Sequence, residues 1–168
     1  MSTGASLPAC ERLDALGIEY TRVDHPAVFT CEESERVVPP MAGARTKNLF
    51  LRDRKGHRHL LVVAAQEKRV DLKALGTLLD SRGLMLASDE RLAKHLGVTP
   101  GSVSIVALMN DTANAVELVV DRDVWSAGVV LAHPLVNTAT VALPLEGLKK
   151  FLADCAHEPR VVDLPAAS

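Results

Sequence analysis

The chain has 168 residues, a length that fits one domain and lets about two thirds of the unfolded surface be buried in one core. Hydrophobic residues make up 48% of the sequence and aromatic residues only 3%, so we expect a Leu, Val and Ala core with a small aliphatic pocket. The net charge of −2 argues against indiscriminate coating of nucleic acid. No leader-like segment opens the chain and no run approaches the roughly 20 apolar residues that span a bilayer, so we expect a cytoplasmic protein without membrane contact.

Local signals in the first half of the chain predict two helices, a short strand and a hairpin. Gly17 is typical of a helix stop, and Thr30 followed by Glu33 forms a capping box that opens a second helix. Gly56 lies in a basic turn between two apolar runs, which is a hairpin pattern. In chain order we predict a helix at 5–16, a strand at 20–23, a helix at 30–38, and strands at 48–52 and 59–64.

The second half mixes capped helices with β-branched runs. There we predict helices at 71–79 and 88–96, strands at 102–108, 115–120, 129–131 and 138–143, a helix at 145–152 and a strand at 160–163. Strands and helices are interspersed without the strict alternation of a doubly wound sheet. We therefore predict an α+β fold of one domain, with its core over about 5–163, in which helices flank a curved, barrel-like mixed sheet.

Positive charge is concentrated in residues 45–73, which hold nine Lys or Arg against three Asp or Glu. Such a segment can contact a few phosphates while the rest of the chain keeps non-specific binding weak. A solvated hairpin is the alternative, because residues 53–56 are also good turn chemistry. The residues that we predict to bind phosphates are Arg45, Arg52, Arg54, Lys55, Lys68 and Arg69.

Several common chemistries find no support in the sequence. There is no Walker loop, no dinucleotide-binding fingerprint and no G-x-S-x-G elbow. The three cysteines are widely spaced and form no C-x-x-C pair, which disfavours disulfides and cysteine zinc sites. We therefore expect neither a metal nor a cofactor.

Three segments supply the polar groups of a predicted pocket. Lys47 and Asn48 stand at the beginning of an apolar strand, and the Lys47 ammonium can hold a carbonyl or phosphate oxygen, although a surface lysine is the simpler interpretation. The turn at 97–101 is constrained by Gly and Pro, so its amides can face a substrate oxygen, but it is also an ordinary helix stop. His133 lies in the third segment, at 132–140, and a lone histidine is more often structural than catalytic.

These segments also carry a resemblance to a known family. In order and spacing they are similar to the YbaK-like trans-editing proteins, free-standing relatives of the insertion domain of bacterial prolyl-tRNA synthetase, and most of all to the alanyl-tRNA(Pro) deacylases of the ProXp-ala or PrdX type. The resemblance runs from about residue 5 to residue 163. It rests on Lys47-Asn48-Leu49-Phe50-Leu51, Leu96-Gly97-Val98-Thr99-Pro100-Gly101-Ser102-Val103 and His133-Pro134-Leu135-Val136-Asn137-Thr138-Ala139-Thr140.

The resemblance implies hydrolysis of the ester that joins a mischarged alanine to the terminal adenosine of tRNA(Pro), with prolyl-tRNA synthetase as a candidate partner. It implies catalytic roles for Lys47, which orients the ester, and for Asn48, and it implies a water nucleophile assisted by the ribose hydroxyl of the substrate. The basic residues would then bind tRNA. The implied substrate-binding residues are Thr30, Gly97, Val98, Thr99, Gly101, Ser102, His133, Asn137 and Thr138.

Three alternatives stay open at this stage. The same scaffold can clear cysteine, serine or threonine from tRNA. A non-catalytic module that binds tRNA or a synthetase is the second alternative, although such a module has no need of the polar pair at Lys47 and Asn48. The third is a small-molecule hydrolase with Cys31 or Ser102 as nucleophile, but acidic neighbours disfavour a thiolate at Cys31.

Overall fold

Residues 7–167 are the part of the chain that the computed structural model describes, and they contain six α-helices, two 3₁₀ helices and eight strands. Residues 5 and 6, the predicted start of the first helix, lie outside the described residues. The helices are α1 (Pro8–Ala15), α2 (Cys31–Val37), α3 (Leu72–Leu78), α4 (Asp89–Leu96), α5 (Arg122–Trp125) and α6 (Leu145–Asp154), with 3₁₀ turns at Pro100–Ser102 and Ile105–Asn110. The strands are β1 (Thr21–Asp24), β2 (Thr46–Arg52), β3 (His59–Ala65), β4 (Met85–Leu86), β5 (Val116–Asp121), β6 (Val129–Ala132), β7 (Ala139–Pro144) and β8 (Pro159–Val162).

The strands form two sheets, and the predicted α+β class is confirmed. The five-stranded sheet has the order β4-β2-β3-β5-β8; β2 is antiparallel to both its neighbours, whereas β3, β5 and β8 run parallel. The three-stranded sheet has the order β1-β7-β6 and is antiparallel. Strands of both orientations and the flanking helices therefore match the predicted mixed architecture, although the strands divide between two sheets.

The two sheets meet at Ala44, just before β2. The Ala44 amide donates to the carbonyl of Val129 at 2.8 Å, and the Leu131 amide donates to the carbonyl of Ala44 at 3.0 Å. Gly43 has φ +140°, and a Cβ at this position would lie 2.9 Å from a methyl carbon of Val129 and 3.0 Å from one of Leu131. Only glycine therefore fits beside β6 at this contact.

Helix starts are set by the capping residues that the sequence indicates. Thr30 Oγ1 accepts from the Glu33 amide at 3.1 Å and opens α2, as the capping box predicts. Asp71 caps α3 and Ser88 caps α4 in the same way. Helix α4 ends at Gly97, whose left-handed φ of +65° is typical of a helix C-terminus.

One predicted strand, at 102–108, is wrong. Residues 100–102 and 105–110 form 3₁₀ turns, and Ser104 opens the second by accepting from the Val106 amide at 3.2 Å. Ile105 to Leu108 are all buried. A short, continuously apolar run does not distinguish a buried strand from a buried helical segment by its period, which explains the error.

Two apolar layers cover the two faces of the five-stranded sheet. Side chains of β3 alternate between them: Leu61 and Val63 pack in the larger layer, and Leu60 and Val62 pack in the smaller one beneath α3. A strand buried on both faces is typical of a central position in a sheet. No helix among residues 7–167 is long and apolar enough to cross a membrane.

A buried carboxylate joins the second 3₁₀ turn to β5 and to the segment after α6. Asp111 accepts from the Ala115 amide at 3.0 Å, the Val116 amide at 2.8 Å and His157 Nε2 at 2.8 Å. Burial alone raises the pKa of Asp111, but these hydrogen bonds outweigh that effect and hold the pKa below its ordinary value. The charged form of Asp111 is therefore the form that the fold stabilises.

Candidate active site

A cleft of about 160 Å³ opens where the beginning of β2 meets the end of β6. A smaller pocket of about 50 Å³ lies beside it, shares Asn48 and His133 with it, and adds Arg45 and Thr140. Thr140 lies on β7, so both sheets contribute to the lining of this smaller pocket. The cleft is lined by Val28, Phe29, Thr30, Ser34, Thr46, Lys47, Asn48, Gln66, Pro100, Gly101, Val103 and His133.

Backbone register brings the distant parts of this lining together. Thr46 Oγ1 donates to the carbonyl of Leu131 at 2.9 Å, which places the first residue of β2 two positions from His133. The Gln66 amide donates to the carbonyl of Arg45 at 3.0 Å, so the end of β3 also lies beside the beginning of β2. Lys47 and Asn48 thus face a cleft whose walls include residues far apart in sequence.

Lys47 is half-buried, and among residues 7–167 it forms no ion pair with a carboxylate. An ammonium group placed in a cleft without a protein partner is available to a carbonyl or phosphate oxygen. Asn48, also half-buried, adds an amide donor and a carbonyl acceptor beside it. Within the described residues, no group of three His, Cys, Asp or Glu side chains is placed to hold a metal ion.

His133 is held as a neutral ring beside this lysine. Its Nδ1 lies 3.2 Å from the carbonyl oxygen of Ala139, and because a carbonyl only accepts, we assign the proton to Nδ1. Burial lowers the pKa of His133, and nearby His25 lowers it further, against the raising effect of the bond to Ala139. At neutral pH the ring therefore adds no second positive charge to the cleft, and Nε2 retains a lone pair.

Two of the predicted substrate-binding residues support a loop and do not line the cleft. The Asn137 side-chain amide donates to the carbonyl of Val28 at 2.9 Å, and the Val28 amide donates to the carbonyl of Asn137 at 3.2 Å. Thr138 is exposed, and its carbonyl accepts from the His25 amide at 3.0 Å. These bonds fix the segment between β1 and α2, from which Phe29 and Thr30 reach the cleft.

The Gly/Pro turn contributes only part of its length to the cleft. Gly101 and its neighbour Pro100 line the cleft, whereas Gly97 ends α4, Val98 packs in the core, Thr99 is exposed and Ser102 is buried outside the lining. A Cβ at Gly101 would lie 3.3 Å from a ring carbon of Phe29 and 3.4 Å from Nδ2 of Asn137. Glycine at 101 thus lets the turn at 97–101 and the segment between β1 and α2 approach each other closely.

Several lining residues were not predicted from the sequence. Thr46 and Gln66 flank the hairpin, and aligning its two strands from the Gly56 turn would have placed them near each other. Phe29 and Ser34 lie just before and within α2, so only the packing of that helix beside β2 reveals them. Val28 and Val103 complete the set as apolar wall residues that no local signal distinguishes from core.

The predicted phosphate-binding residues fall into different environments. Arg54, Lys55 and Arg69 are exposed, and Arg45 and Arg52 are half-buried. The Lys68 ammonium is held within the protein, 3.0 Å from Asp121, 3.5 Å from Asp123 and 3.2 Å from the carbonyl of Leu164. Lys47 and the turn that follows Arg52 lie at opposite ends of β2, on the order of 20 Å apart.

Comparison with known proteins agrees with this arrangement. The sequence pattern of the family described as "Aminoacyl-tRNA editing domain" matches residues 25–151. The chain is 38% identical over 164 residues to Prolyl-tRNA editing protein ProX of Acetoanaerobium sticklandii, covering 98% of this chain and 100% of that protein. It is 36% identical over 154 residues to Prolyl-tRNA synthetase associated domain-containing protein 1 of Danio rerio, covering 90% of this chain and 83% of that protein.

A solved structure supports the fold. A crystal structure described provisionally as a trans-editing enzyme for prolyl tRNA synthetase superposes with a TM-score of 0.69 and 21% identity, covering 97% of this chain and 100% of the other. The mixed sheets and the polar cleft therefore define an editing domain of the YbaK-like class. The chain belongs to the aminoacyl-tRNA editing domain family and is an aminoacyl-tRNA deacylase.

Proposed function

We propose that this protein edits in trans, hydrolysing the ester of mischarged Ala-tRNA(Pro) to free alanine and tRNA. The observation that carries the proposal is the unpaired Lys47 ammonium beside Asn48 in a small cleft of the described residues. Prolyl-tRNA synthetase is the proposed partner and the cytoplasm the proposed place of action, because the related proteins are named for prolyl-tRNA editing and for association with that synthetase.

The proposed mechanism uses donors from the protein and a nucleophile from solvent. A water oxygen adds to the ester carbonyl carbon and gives up one proton, the bond between that carbon and the ribose oxygen breaks, and the ribose oxygen takes up one proton in exchange. Lys47 and Asn48 orient the ester and stabilise the negative charge that develops on the carbonyl oxygen. Ser102 is buried outside the lining, so it is poorly placed to act as a nucleophile.

The proposed choice of alanine rests on size. A synthetase site built for proline rejects smaller alanine weakly, because missing methylenes are worth only about 1 to 3 kcal/mol, and a second site that excludes proline corrects the error. The cleft of about 160 Å³ is smaller than the roughly 300–1,000 Å³ typical of sites for drug-sized ligands. Such a site suits one small aminoacyl group.

Purified protein incubated with Ala-tRNA(Pro), Cys-tRNA(Pro), Ser-tRNA(Pro) and Pro-tRNA(Pro) tests the proposal. We expect the ester of Ala-tRNA(Pro) to be hydrolysed faster than the others and that of Pro-tRNA(Pro) to survive. Faster hydrolysis of the cysteinyl or seryl ester would support the deacylase reaction but would show that the amino acid removed is cysteine or serine and not alanine. Binding of all four without hydrolysis would replace the proposal with a non-catalytic tRNA-binding module.

Charge reversal in the basic turn tests where tRNA lies. We expect the double substitution Arg54→Glu and Lys55→Glu to weaken binding of tRNA(Pro), and to reduce the dependence of log Kd on log salt by about 0.9 for each phosphate that the protein no longer neutralises. The matched control, Lys149→Glu with Lys150→Glu, changes the same charge on exposed positions of α6 and should leave the slope unchanged. If log Kd depended equally on log salt in both double variants, we would conclude that tRNA does not contact the basic turn.

A further inference from the structure

Phe29 is an aromatic side chain that lines the cleft yet remains in contact with solvent. It is 71% exposed, more than any other large hydrophobic side chain in residues 7–167. The chain has only three phenylalanines, and the other two, Phe50 and Phe151, are buried. Leaving this ring in water forgoes the free energy of burying it, and it differs from the other exposed large apolar side chains of residues 7–167 in that it lines the cleft.

The residues immediately before and after Phe29 hold its backbone in place. Val28, immediately before it, is buried and is bonded in both directions to Asn137, and Thr30, immediately after it, caps α2. One edge of the ring rests on the Gly101 turn, where even a Cβ would come within 3.3 Å of it. The backbone of Phe29 is therefore fixed while most of its ring surface stays free.

The size of the cleft limits what else of the substrate it can hold. A cleft of about 160 Å³ that takes the aminoacyl ester beside Lys47 leaves no room for the nucleobase on the same ribose. That base must lie at the rim, one sugar away from the ester. Among the described lining residues Phe29 is the only one with a phenyl or indole ring, and it lies at the exposed side of the cleft.

We propose, on the basis of the proposed function, that the Phe29 ring stacks on the terminal nucleobase of the aminoacyl-tRNA and so positions the ester against Lys47. Stacking on an aromatic ring suits any base because every base has a π-face, and it adds affinity without reading sequence. Phe29 is thus a substrate-positioning residue, distinct from Lys47 and Asn48 at the ester.

A double-mutant cycle between protein and RNA tests this contact. The substrates are an alanylated acceptor-stem RNA that ends in adenosine and the same RNA with an abasic terminal ribose. We expect Phe29→Ala to raise KM for the first substrate by about 5- to 150-fold, the range that corresponds to removing one base–aromatic stack, with little change in kcat. For the abasic substrate, Phe29→Ala should have no further effect, because the partner of the ring is already missing.

Three more variants separate stacking from a general loss of structure. Phe29→Trp should restore the KM of the wild type, whereas Phe29→Leu should not. Leu78→Ala removes an exposed apolar side chain from α3, outside the cleft, and should leave both substrates unaffected. If Phe29→Ala raised KM equally for both substrates, or for neither, the proposal would be overturned. It would also be overturned if Phe29→Ala changed the preference between alanyl and prolyl esters in the abasic RNA, because the ring would then contact the amino acid.

The same cycle measured as binding keeps this inference separate from the proposed function. If the wild type hydrolyses neither ester, the proposed function fails, and the Kd of the uncharged RNAs still decides the role of Phe29. Removal of the terminal base should then weaken binding to the wild type and not to Phe29→Ala. Equal weakening of both proteins would show that the base does not contact the ring.

Discussion

Replacing Lys47 with alanine is expected to lower the single-turnover rate of Ala-tRNA(Pro) deacylation by at least about 100-fold, the usual loss when one preorganised donor to a developing oxyanion is removed. The free energy of unfolding should change little, because Lys47 forms no ion pair among residues 7–167 and its side chain is only half-buried near the beginning of β2. Urea unfolding of the same preparations measures this second quantity.

Two controls define the role of the ammonium. Lys149→Ala removes a lysine of α6 that pairs with Glu146 at the surface, and its deacylation rate should equal that of the wild type. Lys47→Arg keeps the charge but replaces a compact ammonium with a planar fork, so we expect it to restore only a small part of the rate. A Lys47→Ala protein with the wild-type rate would remove Lys47 from the mechanism, and an unfolded one would make its role structural.

Replacing Asp111 with alanine is expected to lower the free energy of unfolding by about 3–5 kcal/mol, the typical cost of breaking a buried pair by deleting one partner. His157 and the amide of Val116 would each lose an acceptor in a buried place, and the amide of the more exposed Ala115 would lose one as well. The exposed pair of Arg122 and Asp163 provides a control, because Asp163→Ala should lower the free energy of unfolding by no more than about 1 kcal/mol. Urea unfolding at pH 7 measures both.

The contribution of Asp111 should also depend on pH in a defined direction. Because its pKa is lower in the folded chain than in the unfolded chain, the stabilisation is fully present above the unfolded value of about 4. It is lost as the pH falls through the lower folded-state pKa. The difference between the wild type and Asp111→Ala should therefore shrink as unfolding is measured in increasingly acidic solution. A difference that is constant with pH would show that the charge of Asp111 does not stabilise the fold.

Local signals in the sequence are sufficient for much of the fold. The Thr30 capping box, the Gly97 helix stop and the hairpin around Gly56 each depend on a few neighbouring residues, and each is found where it was predicted. The segment at 102–108 fails because its apolar residues satisfy a buried 3₁₀ turn as well as a strand. Its conformation is decided by the core packed around it, which no short window of sequence contains.

The candidate site was predictable as three segments but not as a set of lining side chains. Asn137 is polar and close in sequence to His133, yet it bonds to the backbone of Val28, and only the tertiary structure reveals that partner. Lys68 likewise belongs to the basic segment by sequence, but Asp121 lies beside it only after β3 and β5 have paired. Roles of this kind depend on contacts between residues that are distant along the chain.

The junction at Gly43 and Ala44 has a consequence for amino-acid selection. The cleft lies between β2 of one sheet and His133, which directly follows β6 of the other, and backbone hydrogen bonds at Ala44 hold the two sheets together beside it. The width of the cleft is therefore set partly by backbone geometry at two residues that are not among its lining. Relatives that differ at these positions could admit amino acids of different size through identical lining side chains, so substrate preference cannot be compared by aligning the lining alone.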